Sequence, residues 1–134
     1  MANMKLSVVT PTGSVVDAEV VEATIPGAAG VFTVYAEHQP ALIMLGGGIL
    51  TFQGSDGDGE VFIRGGVAEI SGESLLVMTD YALTRDDIAR DQAQAVLEDA
   101  NERLENIDYL DDNQLLRIKI DQNYAESVLE QTAH

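Results

Sequence analysis

Glycine and proline are confined to the first part of this chain. All 12 glycines and all three prolines lie at or before Gly72, and the rest of the 134-residue sequence contains neither. Both residues mark turns and interrupt helices, whereas a long stretch without them permits continuous helix. We therefore expect a turn-rich β domain over residues 1–83, followed by a purely helical domain over residues 84–134.

The composition restricts the kinds of partner. Hydrophobic residues make up 46% of the chain, which is enough to build a globular core. Twenty-three acidic residues against seven basic ones give a net charge of −16, which repels the phosphates of nucleic acids and anionic lipids. We expect no nucleic-acid partner. The acidity itself is consistent with a soluble surface, with a basic protein partner or with a saline habitat.

Several classes of feature are missing from the sequence. The chain contains no cysteine, which excludes disulfides and thiolate metal sites. Residues 1–10 show neither a long apolar core nor an Arg-rich amphipathic pattern, so we expect neither a signal peptide nor a transit peptide. No window approaches 18 apolar residues without charges or turn signals, so we expect no direct membrane insertion.

Short β-favouring runs separated by turn residues fill the first part of the chain. Their regular spacing is typical of a sandwich or barrel, and we expect an antiparallel β-sandwich of about ten strands. A polar stretch over residues 55–59, which contains an Asp-Gly pair, has the chemistry of a hairpin tip. The runs cover residues 5–10, 14–16, 20–25, 31–35, 42–45, 49–53, 60–64, 67–70 and 75–79.

Two amphipathic patterns occupy the second part. At Thr84 the hydrophobic period changes from two to about 3.6, and Thr84 with Asp87 resembles a capping box, so we expect a helix to begin there. A connection over residues 108–113 separates it from a second helix, and the two should form an antiparallel hairpin in an α+β fold. Such short helices are marginal alone and need the sandwich or a partner to lie on. The apolar positions are Ile88, Ala93, Val96, Leu97, Ala100, Leu104 and Ile107, and then Leu115, Leu116, Ile118, Ile120, Tyr124, Val128 and Leu129.

The chain offers few groups for catalysis. Its only histidines are His38 and the terminal His134. His38 follows Glu37 in a stretch that ends at Pro40, which we interpret as a turn between strands. There His38 can serve as a structural hydrogen-bonding group, as a contact residue or, if an acid lies beside it in a cleft, as a general base. We expect no catalytic residues.

Two further motifs resemble ligand sites without completing them. Gly46, Gly47 and Gly48 are not followed by Lys-Ser/Thr or by a helix, so they lack the parts of a phosphate-binding loop, and we expect a tight β connection. Asp56 and Asp58 lie near Glu60, but the other ligands of a calcium loop are missing. We expect no metal site and no cofactor.

Several segments in combination resemble the epsilon subunit of F-type ATP synthase. The resemblance covers about residues 4–83 by motif and the tail by length and helix pattern. It implies a ten-stranded β-sandwich with a C-terminal helical hairpin, mounted on the central stalk between the gamma subunit and the c-ring. It also implies a rotor subunit of a proton-translocating enzyme, peripheral at the cytoplasmic face of the cell membrane. The segments are residues 27–35 followed by 38–42, then 65–70 and 75–80, with residues 6–11 also fitting.

The resemblance assigns two contact regions. The loop that meets the c-ring corresponds to Gly27, Ala28, Ala29, Gly30 and Val31, where small residues allow close backbone approach. The region that meets gamma corresponds to His38, Gln39, Pro40, Ala41, Leu42, Gly65 and Gly66. The alternative that these residues only shape turns stays open.

The tail departs from the family pattern in two ways. Asp86 and Asp91 replace the outer members of the nucleotide-binding signature, which leaves Asp87 and Arg90 as a weak nucleotide-binding candidate or as a surface ion pair. Braking members of the family have a basic second helix, whereas residues 108–134 carry only two cations among more numerous acids. We expect the hairpin to stay on the sandwich and to be at most a weak brake on ATP hydrolysis. The tail could still contact the alpha and beta subunits.

Two other functions compete with the rotor hypothesis. A free-standing acidic β-sandwich could bind a basic protein. A small hydrolase or isomerase would require His38 to lie in a cleft beside an acidic side chain.

Overall fold

The computed structural model describes residues 3–55, 57–87, 89–105 and 111–131. In these residues eight strands precede a short 3-10 helix and two α-helices. The strands are β1 (Met4–Thr10), β2 (Gly13–Val20), β3 (Glu22–Gly27), β4 (Gly30–Tyr35), β5 (His38–Gln53), β6 (Gly59–Gly72), β7 (Ser74–Met78) and β8 (Ala82–Thr84). The 3-10 helix spans Arg85–Asp87, and the α-helices are α1 (Arg90–Glu105) and α2 (Asp112–Gln131).

The strands form a two-layer sandwich whose layers share the long strands β5 and β6. The first sheet has the order β2-β1-β7 and continues into residues 67–71 of β6 and 41–45 of β5. The second sheet consists of β8, residues 59–64 of β6, residues 47–53 of β5, β3 and β4. Neighbouring strands are antiparallel except β1 and β7, which are parallel. The predicted α+β class with a mostly antiparallel sandwich is confirmed.

The strand count differs from the sequence-based expectation of about ten because several glycines that predict turns lie inside long strands. Predicted runs 42–45 and 49–53 are one strand, as are 60–64 and 67–70, while β8 was not predicted. The expected connection at Gly46–48 and turn at Gly65–Gly66 are therefore wrong, since both lie inside strands. A strand can bend sharply at a glycine, which has no side chain, and can pass there from one sheet to the other. Gly65 and Gly66 do so with φ of 80° and 124°.

The hydrophobic core lies between the two sheets. Alternation along β6 shows how it is built, because Val61 and Ile63 face the core while Phe62, between them, faces the opposite side of the second sheet. All three are fully buried. The core residues are Met4, Leu6, Val8, Val20, Ala23, Ile25, Val34, Leu45, Leu50, Val61, Ile63, Ala68, Ile70, Leu75 and Val77.

The helices pack on the outer face of the second sheet. Phe62 is the centre of that interface and is surrounded by Ala93 of α1 and by Tyr124, Ala125 and Val128 of α2. Hydrogen bonds join residue 90 to 129, 101 to 122 and 103 to 121, so the helices run in opposite directions. The predicted antiparallel hairpin is confirmed. No helix among the described residues has the length and apolarity needed to cross a bilayer.

The predicted start of the first helix is wrong by six residues. Thr84 ends β8, and α1 begins at Arg90. The Thr84 hydroxyl donates a hydrogen bond to Asp87 Oδ2 at 3.0 Å, so the expected capping pair closes the 3-10 turn instead. Ile88, Ile107, Asp56, His134 and residues 108–110 of the predicted connection lie outside the described residues. The connection was predicted to reach residue 113, but α2 already begins at Asp112.

Candidate partner-binding surfaces and the helix-docking interface

Helix α2 lies directly on the backbone of β5. A methyl group at Gly47 would overlap the carbonyl oxygen of Ile120 and would come within 2.8 Å of the Tyr124 nitrogen. The neighbouring Gly46 is less restricted, because a methyl group there would meet Ala28 at 3.5 Å, an ordinary contact. Glycine at position 47 therefore allows backbone-to-backbone contact between strand and helix.

An ionic cluster, here called the Asp121 cluster, joins both helices to the sheet through Arg64, Arg103 and Asp121. Arg64 of β6 donates to Asp121 Oδ1 from Nη2 at 2.8 Å and from Nε at 3.2 Å. Arg103 of α1 donates from Nη2 to Asp121 Oδ2 at 2.6 Å, and this hydrogen bond is the main reason why the pKa of Arg103 is raised. The Asp121 side chain is only 7% exposed. Two guanidinium groups from different elements therefore neutralise one buried carboxylate on α2.

Two tyrosines complete this part of the interface. The Arg64 guanidinium carbon lies 5.4 Å from the ring centre of Tyr81 and 5.3 Å from that of Tyr124, within cation–π range. The two rings meet edge to face at 5.4 Å. Burial, followed by a hydrogen bond with Tyr81, raises the pKa of Tyr124 well above its usual value, so its hydroxyl stays protonated.

The nucleotide-binding candidates Asp87 and Arg90 take part in contacts at the ends of the helices. Asp87 accepts the hydrogen bond from Thr84, and Arg90 Nη1 donates to the carbonyl oxygen of Leu129 at 3.1 Å. Beside them, Arg85 pairs with Glu60 and donates to Gln131. These bonds fasten the end of the hairpin to the sheet.

The outer face of the first sheet carries a row of apolar side chains, of which two are exposed and two are half-buried. Met44, Val67, Met78 and Val9 are direct cross-strand neighbours on four adjacent strands, and we call them the apolar row. Met44 is 60% exposed and Met78 40% exposed, and Leu42 on the same face is 72% exposed. Contiguous exposed apolar residues mark binding surfaces.

The residues predicted to contact gamma lie in different environments. Leu42 lies on the face of the apolar row, whereas Ala41 packs against the core. Gly65 and Gly66 lie in β6 beside the row, and a methyl group at Gly66 would overlap the carbonyl oxygen of Met78.

The predicted turn at 37–40 is in part wrong, because β5 already begins at His38, which pairs with Gly72. Exposed Gln39 and Pro40 follow it in the strand. His38 Nδ1 lies 2.6 Å from the carbonyl oxygen of Gln39, and its ring contacts Phe32 edge to face. In the described residues these are the partners of the histidine, and they give it a packing role.

The residues predicted to contact the c-ring form the tip of the β3–β4 hairpin. Gly27 pairs with Gly30, and exposed Ala28 and Ala29 make the turn between them. The Ala28 nitrogen donates to the carbonyl oxygen of Met44 at 2.8 Å. Val31 beside the turn is 77% exposed. The tip thus consists of small, mostly exposed residues and is held to β5.

Comparison with known proteins identifies the family. Residues 3–85 match the family model described as the ATP synthase, Delta/Epsilon chain, beta-sandwich domain. The chain belongs to this family. Curated relatives extend the similarity into the helices. The ATP synthase epsilon chain of Desulfatibacillum aliphaticivorans is 40% identical over 105 residues, which cover 78% of this chain and 74% of the relative. That of Sulfurimonas denitrificans is 32% identical over 114 residues, covering 84% and 85%.

Solved structures show the same fold. A chain of the mitochondrial ATP synthase of Euglena gracilis, solved with its c-ring, superposes with a TM-score of 0.74 at 22% identity, covering all of this chain and 83% of that one. A chain from the central stalk and c-ring of the Tetrahymena thermophila mitochondrial ATP synthase gives a TM-score of 0.63 at 14% identity, covering 96% of each. The family model and the curated relatives confirm the sequence-based resemblance to the epsilon subunit.

The sequence patterns did not indicate that Val9, Met44, Val67 and Met78 line one surface. Leu42 and Met44 are spaced two apart, which is the period of one strand face, but the sequence does not show which face is covered. The cross-strand register supplies that information.

Proposed function

We propose that this family member is a non-catalytic rotor subunit of an F-type ATP synthase that fastens the gamma subunit to the c-ring and transmits rotation. The observation that carries the proposal is the family membership. The apolar row and the exposed β3–β4 tip support it, because they give one sandwich two surfaces of different chemistry. The free-standing acidic module is not favoured, since the curated relatives are ATP synthase chains.

The two surfaces suit different partners. The apolar row, with Leu42 beside it, provides a flat hydrophobic face for the gamma subunit. The tip of small residues from Gly27 to Gly30 lets another backbone approach closely, which suits the polar loops of a c-ring. In this proposal, residues 1–83 form the domain that binds both partners, and residues 84–134 form a separate helical domain. The whole subunit is located at the cytoplasmic face of the membrane.

The helical domain is proposed to remain docked and to brake hydrolysis weakly at most. The Asp121 cluster and the Gly47 contact both favour the docked position. Extending the hairpin would expose Phe62 and would separate Asp121 from Arg64. A few kcal/mol is enough to shift an equilibrium between two conformations almost completely to one of them. All of these contacts favour the docked conformation over the extended one.

Binding to the gamma subunit tests the proposal. Met78→Asp places a charge in the centre of the apolar row and should weaken binding of the full chain to assembled alpha, beta and gamma subunits by at least thirtyfold, on the order of a hot-spot loss of 2 kcal/mol. Leu104→Asp is the matched control, because Leu104 is 43% exposed on α1 and lies away from the row. Binding by the Met78 variant at the strength of the Leu104 variant would refute the assignment of this face.

Retention on the membrane tests the c-ring surface. Val31→Asp and Ala29→Glu should lower the amount of the chain held by membranes that contain the c-ring, because a charged side chain blocks close approach. The wild-type chain should co-purify with the membrane-bound ATPase and should be released together with the soluble head of that enzyme. If either result is not obtained, the free-standing acidic module is favoured instead.

A further inference from the structure

A cleft joins the apolar row to helix α2. Its volume is about 430 Å³, and its walls come from both domains: Met44 and Val67 from the first sheet, and Leu116 and Ile120 from α2. Leu116 is 37% exposed. The exposed apolar surface therefore does not end at the edge of the sheet but continues across the cleft onto the first turns of α2.

A cation for which the described residues provide no partner lies at the same cleft. The side chains of Arg117 and Lys119 form no ion pair or hydrogen bond with the described residues, whereas the other five basic side chains do. Arg117 lines the cleft, and Lys119 does not. In a chain with a net charge of −16, a guanidinium beside an apolar cleft that finds no carboxylate among the described residues favours a partner that brings one.

Other charged groups at the cleft limit the places where that carboxylate can bind. Arg64 lines the cleft, but two of its nitrogens already donate to Asp121. Asp80, in the connection between β7 and β8, also lines the cleft and repels an anion near it. An incoming carboxylate is therefore directed to the α2 side of the cleft, where Arg117 is located.

We propose that the surface for the gamma subunit extends from the apolar row across this cleft onto α2, where Leu116 packs against an apolar side chain of gamma and Arg117 pairs with one of its carboxylates. This inference rests on the proposed function. We assign the cleft to gamma because it is continuous with the apolar row, which is the proposed gamma surface. Arg117 adds the requirement that gamma presents an acidic group there. One wall of the cleft belongs to the hairpin, so gamma binding stabilises the docked hairpin by linkage.

Matched substitutions on α2 test the inference. In the full chain, Arg117→Glu and Leu116→Ser should each weaken binding to assembled alpha, beta and gamma subunits at least tenfold. Lys119→Glu makes the same charge change two residues away, and Leu115→Ser makes the same apolar-to-polar change at a residue that is 43% exposed and outside the cleft. Both controls should change binding less than threefold. All four positions are exposed, so unchanged thermal unfolding should accompany each variant.

Failure of the inference can be distinguished from failure of the proposed function. If Arg117→Glu and Leu116→Ser behave like their controls while Met78→Asp abolishes binding, the gamma surface stops at the sheet and the inference is wrong. If the wild-type chain does not bind, the proposed function is wrong as well. Hydrogen exchange adds a second measurement: gamma should slow exchange in residues 113–120 of α2 as well as in the first sheet. Slowing confined to the sheet would overturn the inference.

Discussion

Replacing Asp121 by asparagine should release the helical hairpin from the sandwich. The carboxylate accepts hydrogen bonds from two guanidinium groups at 2.6–3.2 Å and is almost fully buried. Asparagine keeps the size of the side chain but removes its charge, so two arginines are left facing a neutral amide.

The structure sets the size of the effect. Removing one partner of a buried ion pair costs about 3–5 kcal/mol. Arg64 and Arg103 are 28% and 34% exposed, so water partly solvates them after the change, and the lower end of that range, about 3 kcal/mol, applies. At 1.4 kcal/mol per factor of ten, the docking equilibrium should shift by roughly a hundredfold.

Hydrogen exchange measured by mass spectrometry is the assay. Helices this short are marginal when undocked, so peptides from α1 and α2 should exchange roughly a hundredfold faster in Asp121→Asn, while β1 and β7 serve as internal references. Asp99→Asn is the matched control: Asp99 also lies beside Arg103, at 3.1 Å, but is 68% exposed, and it should change exchange only slightly. Equal exchange in the two variants, or unchanged exchange in α2, would refute the reasoning.

Three further perturbations test other parts of the structure. Gly47→Ala should weaken hairpin docking by about 2 kcal/mol through overpacking against Ile120, measured by hydrogen exchange of α2, and an equal effect of Gly46→Ala would contradict the close contact. The raised pKa of Tyr124 stabilises the folded protein as long as the tyrosine of the unfolded chain is protonated, and this stability is lost as the pH rises above about 10. In urea unfolding, the free energy of unfolding should therefore fall less at alkaline pH in Tyr124→Phe than in the wild type. Equal pH dependence in the two proteins would contradict this prediction. Deleting residues 85–134 should barely change the ATPase activity of the reconstituted complex, whereas a several-fold rise would show that the tail is a strong brake.

Local patterns predicted much of the architecture. The change of hydrophobic period near Thr84 separated strands from helices, and the apolar stripe through Ile120, Tyr124 and Val128 correctly marked the docked face of α2. The three consecutive apolar residues at 61–63 already contain the signal of a strand that is buried on both faces.

Long-range pairings explain what was missed. Gly46–48 and Gly65–66 have the composition of turns, and only the partner strand shows that they are bends within β5 and β6. Asp121 stands alone as an acid on an apolar helix face, but its partner Arg64 is 57 positions away, beyond the reach of any periodic pattern. The exposure of Met44 and Met78 likewise depends on which sheet the helices cover.

The hydrogen bond from Ala28 to the carbonyl oxygen of Met44 places the two proposed contact surfaces next to each other in the backbone. A twisting load applied to the apolar row at Met44 can reach the β3–β4 tip through this hydrogen bond, without crossing the hydrophobic core. The stiffness of this short path depends on main-chain geometry. Core substitutions that lower the melting temperature should consequently leave mechanical transmission intact for as long as the sandwich remains folded.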